Sequence, residues 1–107
     1  MLAPVKRGII STIYVKPGTE RVYEKILERY RLFYTNETFI EIGKDNERVD
    51  LNCVVGTNLC RISTYYCKDD LYVKIFSMID NLIKGAAGQA IQNMNLAMGF
   101  DETEGLI

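Results

Sequence analysis

Two strand-like segments separated by a short polar connection constrain the fold of this chain more than any other feature. Residues 59–67 (LCRISTYYC) and 71–79 (LYVKIFSMI) are rich in the β-branched and aromatic residues that favour strands. The three residues between them, Lys68, Asp69 and Asp70, are polar and typical of a hairpin loop. The sequence therefore predicts that these two strands lie side by side in one sheet.

Two further strands are predicted earlier in the chain, at residues 8–15 (GIISTIYV) and 38–42 (TFIEI). The first carries apolar residues on both of its alternating faces, which favours an inner strand that is covered on both sides. Residues 43–50 are polar and predict a solvated loop. Residues 51–58 are predicted to be extended, with a turn at Gly56.

Helical patterns occur twice. Residues 20–34 place apolar side chains at steps of three and four, and Thr19 precedes them as an N-cap. Residues 85–98 form the second predicted helix, and Gly99 is placed to end it. The element order β-α-β-(β)-β-β-α predicts an α+β domain, in which helices cover a mixed, largely antiparallel sheet.

The composition excludes several kinds of site and partner. The 107 residues carry a formal net charge of -1, so no bulk electrostatic attraction to nucleic acid or to an anionic membrane is implied. No apolar run reaches the roughly 20 residues that span a bilayer, and no signal peptide is evident, so a cytoplasmic location is predicted. Histidine is absent, which removes Cys–His and Ser–His nucleophile pairs and the commonest metal ligand. No metal site is predicted.

The stretch at residues 80–96 (DNLIKGAAGQAIQNMNL) combines small residues and side-chain amides at helical spacing. A glycine early in a helix costs about 1 kcal/mol relative to alanine, so Gly85 and Gly88 need a reason. One reason is close packing of the helix against a neighbouring element. The other is a ligand, since free N–H groups and the helix dipole attract an anion at a helix N-terminus. The spacing of the glycines does not distinguish between close packing and a ligand.

The same stretch closely resembles the C-terminal signature of the N-acetyl-gamma-glutamyl-phosphate reductase family. Residues 4–15 (PVKRGIISTIYV), 56–58 (GTN) and 102–106 (ETEGL) are similar to the family as well. The resemblance implies the NADPH-dependent reduction of N-acetylglutamyl 5-phosphate to its semialdehyde, in arginine biosynthesis. It also implies a plan similar to that of other semialdehyde dehydrogenases, with a Rossmann domain for NADP and a catalytic and dimerisation domain.

Members of that family are much longer than this chain, and their catalytic Cys motif and His are absent from it. The resemblance therefore implies that residues 1–107 are the C-terminal portion of the catalytic and dimerisation domain. A homo-oligomer is expected, with the final helix, at about 85–98, packing on a Rossmann domain outside the chain. We expect the chain alone to be inactive and not to bind NADP tightly. A standalone dimerisation module and a small-anion-binding regulatory module are the alternatives.

Four residues become candidate site residues. By analogy with related dehydrogenases, Asn81 would contact the nicotinamide carboxamide, and Gly85 and Gly88 would allow close approach of helix and cofactor. Capping of the strand-to-helix turn is the alternative for Asn81. Arg7 is the candidate for binding a substrate carboxylate or phosphate, with a structural ion pair as its alternative. The amides Gln89, Gln92 and Asn95 are expected to face the Rossmann domain and to be largely exposed without it.

Overall fold

A four-stranded sheet forms the centre of the computed structural model, which describes residues 7–16, 18–66 and 72–107. The strands, β1 to β4 in chain order, are Ile9–Val15, Ile40–Ile42, Cys60–Tyr66 and Val73–Ile79. Their order in the sheet is β1-β4-β3-β2. Strand β4 pairs antiparallel with both β1 and β3, while β2 pairs parallel with β3. The predicted mixed, largely antiparallel sheet of an α+β domain is therefore confirmed.

The hairpin pair is also confirmed, because Cys60 lies opposite Ile79 and Tyr66 lies opposite Val73 in one antiparallel ladder. The predicted loop at residues 68–70 lies outside the described residues. The strand predicted at 38–42 is shorter and begins at Ile40.

Strand β1 is an outer strand of the described sheet, so the prediction of an inner strand was wrong for this part of the chain. Its described neighbour is β4 alone. Ile13 is 48% exposed and Tyr14 is 61% exposed, on opposite faces of the strand. Apolar residues on both faces show that a strand can be buried on both sides. Whether it is buried depends on which elements pack against it.

The first helix, α1 (Glu20–Phe33), begins where the sequence predicts. Thr19 has extended backbone angles, and its hydroxyl accepts a hydrogen bond from the N–H of Val22 at 3.3 Å. Such a cap contributes about 1 kcal/mol. The helix buries Tyr23 and Leu27, which lie four residues apart and therefore share one face. This face packs on β3.

The hydrophobic core lies between α1 and the sheet and is built around Tyr23, Ile62, Val73 and Ile75. The Tyr23 ring stacks on Tyr66 with ring centroids 5.1 Å apart. Its hydroxyl donates to the Asp45 carboxylate, so the polar end of this buried ring is satisfied. The loop at 43–50 thus contributes to the core rather than being only solvated.

The segment before β3 is not extended as predicted. Leu51–Cys53 forms a 3-10 turn, because the Asp50 carboxylate accepts from the N–H of Asn52 at 2.9 Å and caps it. The predicted turn at Gly56 is present, with φ +83°. This positive φ suits glycine, which lacks the Cβ that makes such angles costly.

The last helix is preceded by a wider turn. Ile83–Ala87 is π-helical, and Ala86 has non-helical angles within it (φ -147°, ψ -106°). The α-helix α2 runs from Gly88 to Met98, three residues later than the predicted start. Gly99 ends it with φ 72°, as predicted. Across the described ranges, no helix is long and apolar enough to cross a membrane.

Candidate functional site

Asp80, directly after β4, is the centre of the candidate site. Its side chain is fully buried. One carboxylate oxygen, Oδ2, accepts from the N–H of Gly56 at 2.7 Å and from the Arg7 guanidinium at 2.8 Å. The other, Oδ1, accepts from the N–H groups of Leu82 at 2.8 Å and Ile83 at 3.3 Å. A buried charge with this many donors is compensated from three separate segments of the chain.

These contacts keep Asp80 ionised. Burial alone would raise the pKa of this carboxyl. The hydrogen bonds from Arg7, Gly56 and Leu82 outweigh burial and lower the pKa from 3.8 to about 2. At neutral pH the site therefore holds an ionised Asp80 carboxylate paired with the Arg7 cation.

The sequence analysis did not single out Asp80 as a functional residue. A buried aspartate after a strand has an ordinary local explanation, because Asp readily bonds the N–H groups that follow it. The bonds to Leu82 and Ile83 are of that kind. The signal that was available is its place at the start of the 80–96 stretch that carries the family resemblance.

Arg7 and Asn81, two of the predicted site residues, lie side by side. The side-chain oxygen of Asn81 accepts from the N–H of Gly8 at 2.8 Å. Antiparallel pairing of Ile9 with Ile79 requires this proximity, because it brings the start of β1 to the end of β4. The bonds Arg7–Asp80 and Gly8–Asn81 therefore form a double clamp between the two strand ends.

The Arg7 guanidinium is only partly used by this clamp. Its side chain is 39% exposed, whereas that of Asp80 is not exposed at all. A guanidinium carries five N–H donors, and Asp80 engages Nη2. Nε is buried and has no hydrogen-bond partner among the described residues. An anion arriving from solvent would therefore contact the exposed part of the Arg7 side chain rather than Nε.

The two glycines of the stretch have different surroundings. A Cβ at Gly88 would collide with Asn58 Oδ1 and would lie 2.6 Å from the backbone oxygen of Ile83. Gly88 is buried, and close packing within the chain explains it. Gly85 is exposed, and a Cβ there would meet only Ile79 Cδ1 closely, at 3.2 Å.

The polar face of α2 is buried within this chain, so the expectation that Gln92 and Asn95 would be largely exposed was wrong. Gln92 Oε1 accepts from Lys84 at 2.7 Å and from Asn58 at 3.0 Å, and its Nε2 donates to Glu102 at 2.8 Å. Asn95 donates to the backbone oxygens of Glu102 and Glu104. The C-terminal tail folds back over these amides and supplies the partners that a second domain was expected to supply.

Apolar side chains on another face of α2 are exposed. Met94 and Met98, four residues apart, are 51% and 64% exposed. Gln89, the third predicted interface amide, is partly exposed and donates to Asn93 at 2.9 Å. The helix therefore presents apolar groups outward and amides inward, the reverse of an isolated amphipathic helix.

The family model for the semialdehyde dehydrogenase dimerisation domain matches residues 1–81. The chain belongs to this family. The match ends at Asn81, so Arg7, Asp80 and Asn81 lie within the dimerisation domain, and α2 and the tail follow it. The double clamp is thus a feature of the dimerisation domain at the point where α2 is attached.

The chain is similar over nearly its whole length to proteins named N-acetyl-gamma-glutamyl-phosphate reductase. It is 48% identical to that of Clostridium kluyveri over 105 residues, and 50% identical to that of Staphylococcus epidermidis over 106 residues. A relative from a Geobacillus species is 42% identical over 106 residues. These matches cover 98% or 99% of the chain but only 30% or 31% of each relative. The chain therefore spans about a third of the length of the relatives it matches.

Proposed function

We propose that this chain forms the C-terminal part of an N-acetyl-gamma-glutamyl-phosphate reductase, which reduces N-acetylglutamyl 5-phosphate to its semialdehyde with NADPH in arginine biosynthesis. One observation supports this most. Three of the four segments that resemble the reductase family (4–15, 56–58 and 80–96) are distant in sequence, and the fourth (102–106) closely follows the third, yet all four meet around Asp80 and α2. Arg7 and Gly56 bond Asp80, Asn58 bonds Gln92, and Gln92 bonds Glu102.

In this proposal Arg7 binds an anionic group of the substrate. N-acetylglutamyl 5-phosphate carries a carboxylate and a phosphate, and a guanidinium can bind either in a bidentate manner. The exposed part of the Arg7 side chain provides the donors. The Cys nucleophile that attacks the acyl phosphate, and the His that assists it, would come from the part of the reductase preceding this chain.

Asn81 and Gly85 are the residues proposed to lie against the nicotinamide cofactor, which supplies the hydride when it is bound. Gly85 fits this role, because it is exposed and leaves room for close approach. Gly88 does not offer such room, because Asn58 and Ile83 close it off. We therefore propose that Gly88 sets the start of α2, and so the position of Asn81 and Gly85, without touching the cofactor.

The small-anion-binding alternative is weaker than the reductase proposal. It needs free N–H groups in the turn that leads into the final helix, but those of Leu82 and Ile83 already bond the Asp80 carboxylate, and that of Gly85 bonds the backbone oxygen of Asp80. The anion at this helix start is therefore a residue of the chain itself. Titration with inorganic phosphate, monitored by calorimetry, should show no tight binding.

The proposal is tested by joining this chain to the part that precedes the matching segment in a relative. In this fusion, called the joined reductase, the chain replaces the matching C-terminal segment of the Clostridium kluyveri relative and follows the rest of that enzyme. We expect the joined reductase to oxidise NADPH when given N-acetylglutamyl 5-phosphate, while the chain alone does not. The intact Clostridium kluyveri enzyme is the positive control. A folded joined reductase without activity, or activity of the chain alone, would contradict the proposal.

A second candidate function, homodimerisation, rests on the exposed apolar residues of the sheet in a chain of the dimerisation-domain family. Ile13 and Tyr14 lie on opposite faces of β1, and both are about half exposed or more. Sedimentation velocity of the chain should show a dimer. Ile13→Glu and Tyr14→Glu place the same charge on opposite faces, so the variant that dissociates the dimer identifies the contacting face. A monomer at high concentration would contradict this function.

A further inference from the structure

We infer that Asp80 is a positioning residue that orients the Arg7 guanidinium toward the substrate anion. This rests on the proposed reductase function, in which Arg7 binds that anion. Asp80 itself is buried and would not touch the substrate. Its effect on the reaction would pass through the salt bridge to Arg7 Nη2, which is 2.8 Å long.

Asp80 is suited to this role because its carboxylate cannot move freely. The N–H of Gly56 holds Oδ2, and those of Leu82 and Ile83 hold Oδ1. These donors are backbone groups on both sides of the carboxylate, so they define its position and its plane. Oδ2 is therefore a fixed point, and Arg7 Nη2 is held against it.

The backbone that carries Arg7 is fixed at the same place. Gly8, the next residue, donates its N–H to Asn81, and Ile9 pairs with Ile79 in the sheet. Both ends of the long Arg7 side chain are thus anchored, its Cα by β1 and its guanidinium by Asp80. An arginine held at both ends loses little further rotamer freedom on binding an anion, and this favours binding.

A purely stabilising role explains the geometry less well. Buried ion pairs contribute little net stability, since the cost of desolvation offsets the attraction. A structural pair would also be expected to use more of the guanidinium. Here the carboxylate is fully satisfied and buried, whereas 39% of the Arg7 side chain is exposed. An incoming carboxylate or phosphate would bind this exposed part.

The test is a double-mutant cycle in the joined reductase. Asp80→Asn should raise the KM for N-acetylglutamyl 5-phosphate by about tenfold to a hundredfold, as expected for one charge-assisted contact. The KM for NADPH should change by less than about twofold. When Arg7 is already Ala, Asp80→Asn should add less than about threefold, because a positioning residue acts only through the group it positions. If Asp80→Asn raises the KM by the same factor with Arg7 present and with Arg7→Ala, the inference is overturned.

Glu47→Gln is the matched control. It also removes one negative charge from an arginine partner, because Glu47 accepts from Arg61 at 2.6 Å. Arg61 pairs with two glutamates and has no part in the proposed site. The KM for the acyl phosphate should be unchanged in this variant. A rise equal to that of Asp80→Asn would mean that loss of charge, and not loss of position, is responsible.

A measurement on the unaltered 107-residue chain covers the case in which Asp80→Asn does not fold. The Arg7 Nε–H group can be followed by nitrogen-15 relaxation. We expect it to be as rigid as the backbone, with an order parameter near 0.85, before any anion is added. A value below about 0.6 would show a mobile guanidinium and overturn the inference. An inactive joined reductase would instead contradict the proposed function, so the two failures are distinguishable.

Discussion

Gly88 packs directly against the side-chain oxygen of Asn58, at the point where α2 meets the loop before β3. The contact leaves no space for a methyl group, and the backbone oxygen of Ile83 closes the same space at 2.6 Å. Asn58 also donates to Gln92, one turn further along α2. This contact therefore sets where the last helix lies against the dimerisation domain.

We expect Gly88→Ala to destabilise the chain by about 1–3 kcal/mol, because the added methyl group overpacks against backbone that cannot swing away. Urea denaturation followed by circular dichroism would measure this loss. Gly85→Ala is the control. Its closest contact is the end of the Ile79 side chain at 3.2 Å, so its stability should stay within about 1 kcal/mol of the original. Equal losses in both variants would contradict the packing explanation of Gly88.

Gln92→Leu should cost about 2–3 kcal/mol, although it replaces an amide with a good helix former. The change leaves Asn58 Nδ2 and Lys84 Nζ without their shared acceptor and removes a donor from Glu102. Gln89→Leu makes the same substitution one turn earlier, where the amide donates to the exposed Asn93, and should change stability by less than about 0.5 kcal/mol. Thermal or urea unfolding measures the stability of both variants. Similar losses of stability would mean that the buried hydrogen bonds of Gln92 do not stabilise the fold.

The stability of the chain should fall as the pH drops below 3.8 toward about 2. The pKa of Asp80 is lower in the folded state than its ordinary value of 3.8, so the unfolded chain binds a proton first and acid favours unfolding. The stabilisation is complete above pH 3.8 and is lost as the pH approaches the folded pKa. Chemical denaturation at a series of pH values should show this loss in the wild-type chain. In Asp80→Asn the free energy of unfolding should change less with pH over the same interval. An unchanged pH dependence would contradict the assignment of this effect to Asp80.

The exposed apolar face of α2 should matter only in the larger protein. Met98→Glu should leave the melting temperature of this chain nearly unchanged, because the side chain is 64% exposed. In the joined reductase the same change should lower activity or thermal stability, if the helix packs on the preceding domain as the family resemblance implies. Asn93→Glu, on an exposed position of the same helix, is the control. If Met98→Glu and Asn93→Glu change the activity and the thermal stability of the joined reductase equally, that packing is contradicted.

Local patterns predicted the elements of the fold well. The three-and-four spacing before Tyr34, the cap at Thr19 and the glycine stop at Gly99 each depend on residues within one or two turns. The short connection between β3 and β4 likewise determined their antiparallel pairing. The segment at 51–53 was misassigned because a single side chain, that of Asp50, stabilises a turn there. Local sequence therefore determines which elements form, apart from short segments that one hydrogen bond can alter.

The candidate site was predicted only in part. The resemblance pointed to Arg7 and Asn81, and the fold places them next to each other. Asp80, which joins them, was not identified, since its partners Arg7 and Gly56 are far from it in sequence. The cofactor and substrate roles of Arg7, Asn81 and Gly85 stay predictions until they are tested in the joined reductase.

The sequence by itself determined the helices, the hairpin strands, their turns and the family resemblance, because these depend on neighbouring residues or on recognisable motifs. Only the tertiary structure decided that β1 is an outer strand, that Gln92 and Asn95 are buried, and that Asp80 holds Arg7. Each of these depends on contacts between distant residues, such as Gly8 with Asn81, which are 73 positions apart, and Asn58 with Gln92, which are 34 apart. A polar side chain has the same intrinsic properties in either setting, and whether it is exposed or buried is decided by which partners the fold brings to it.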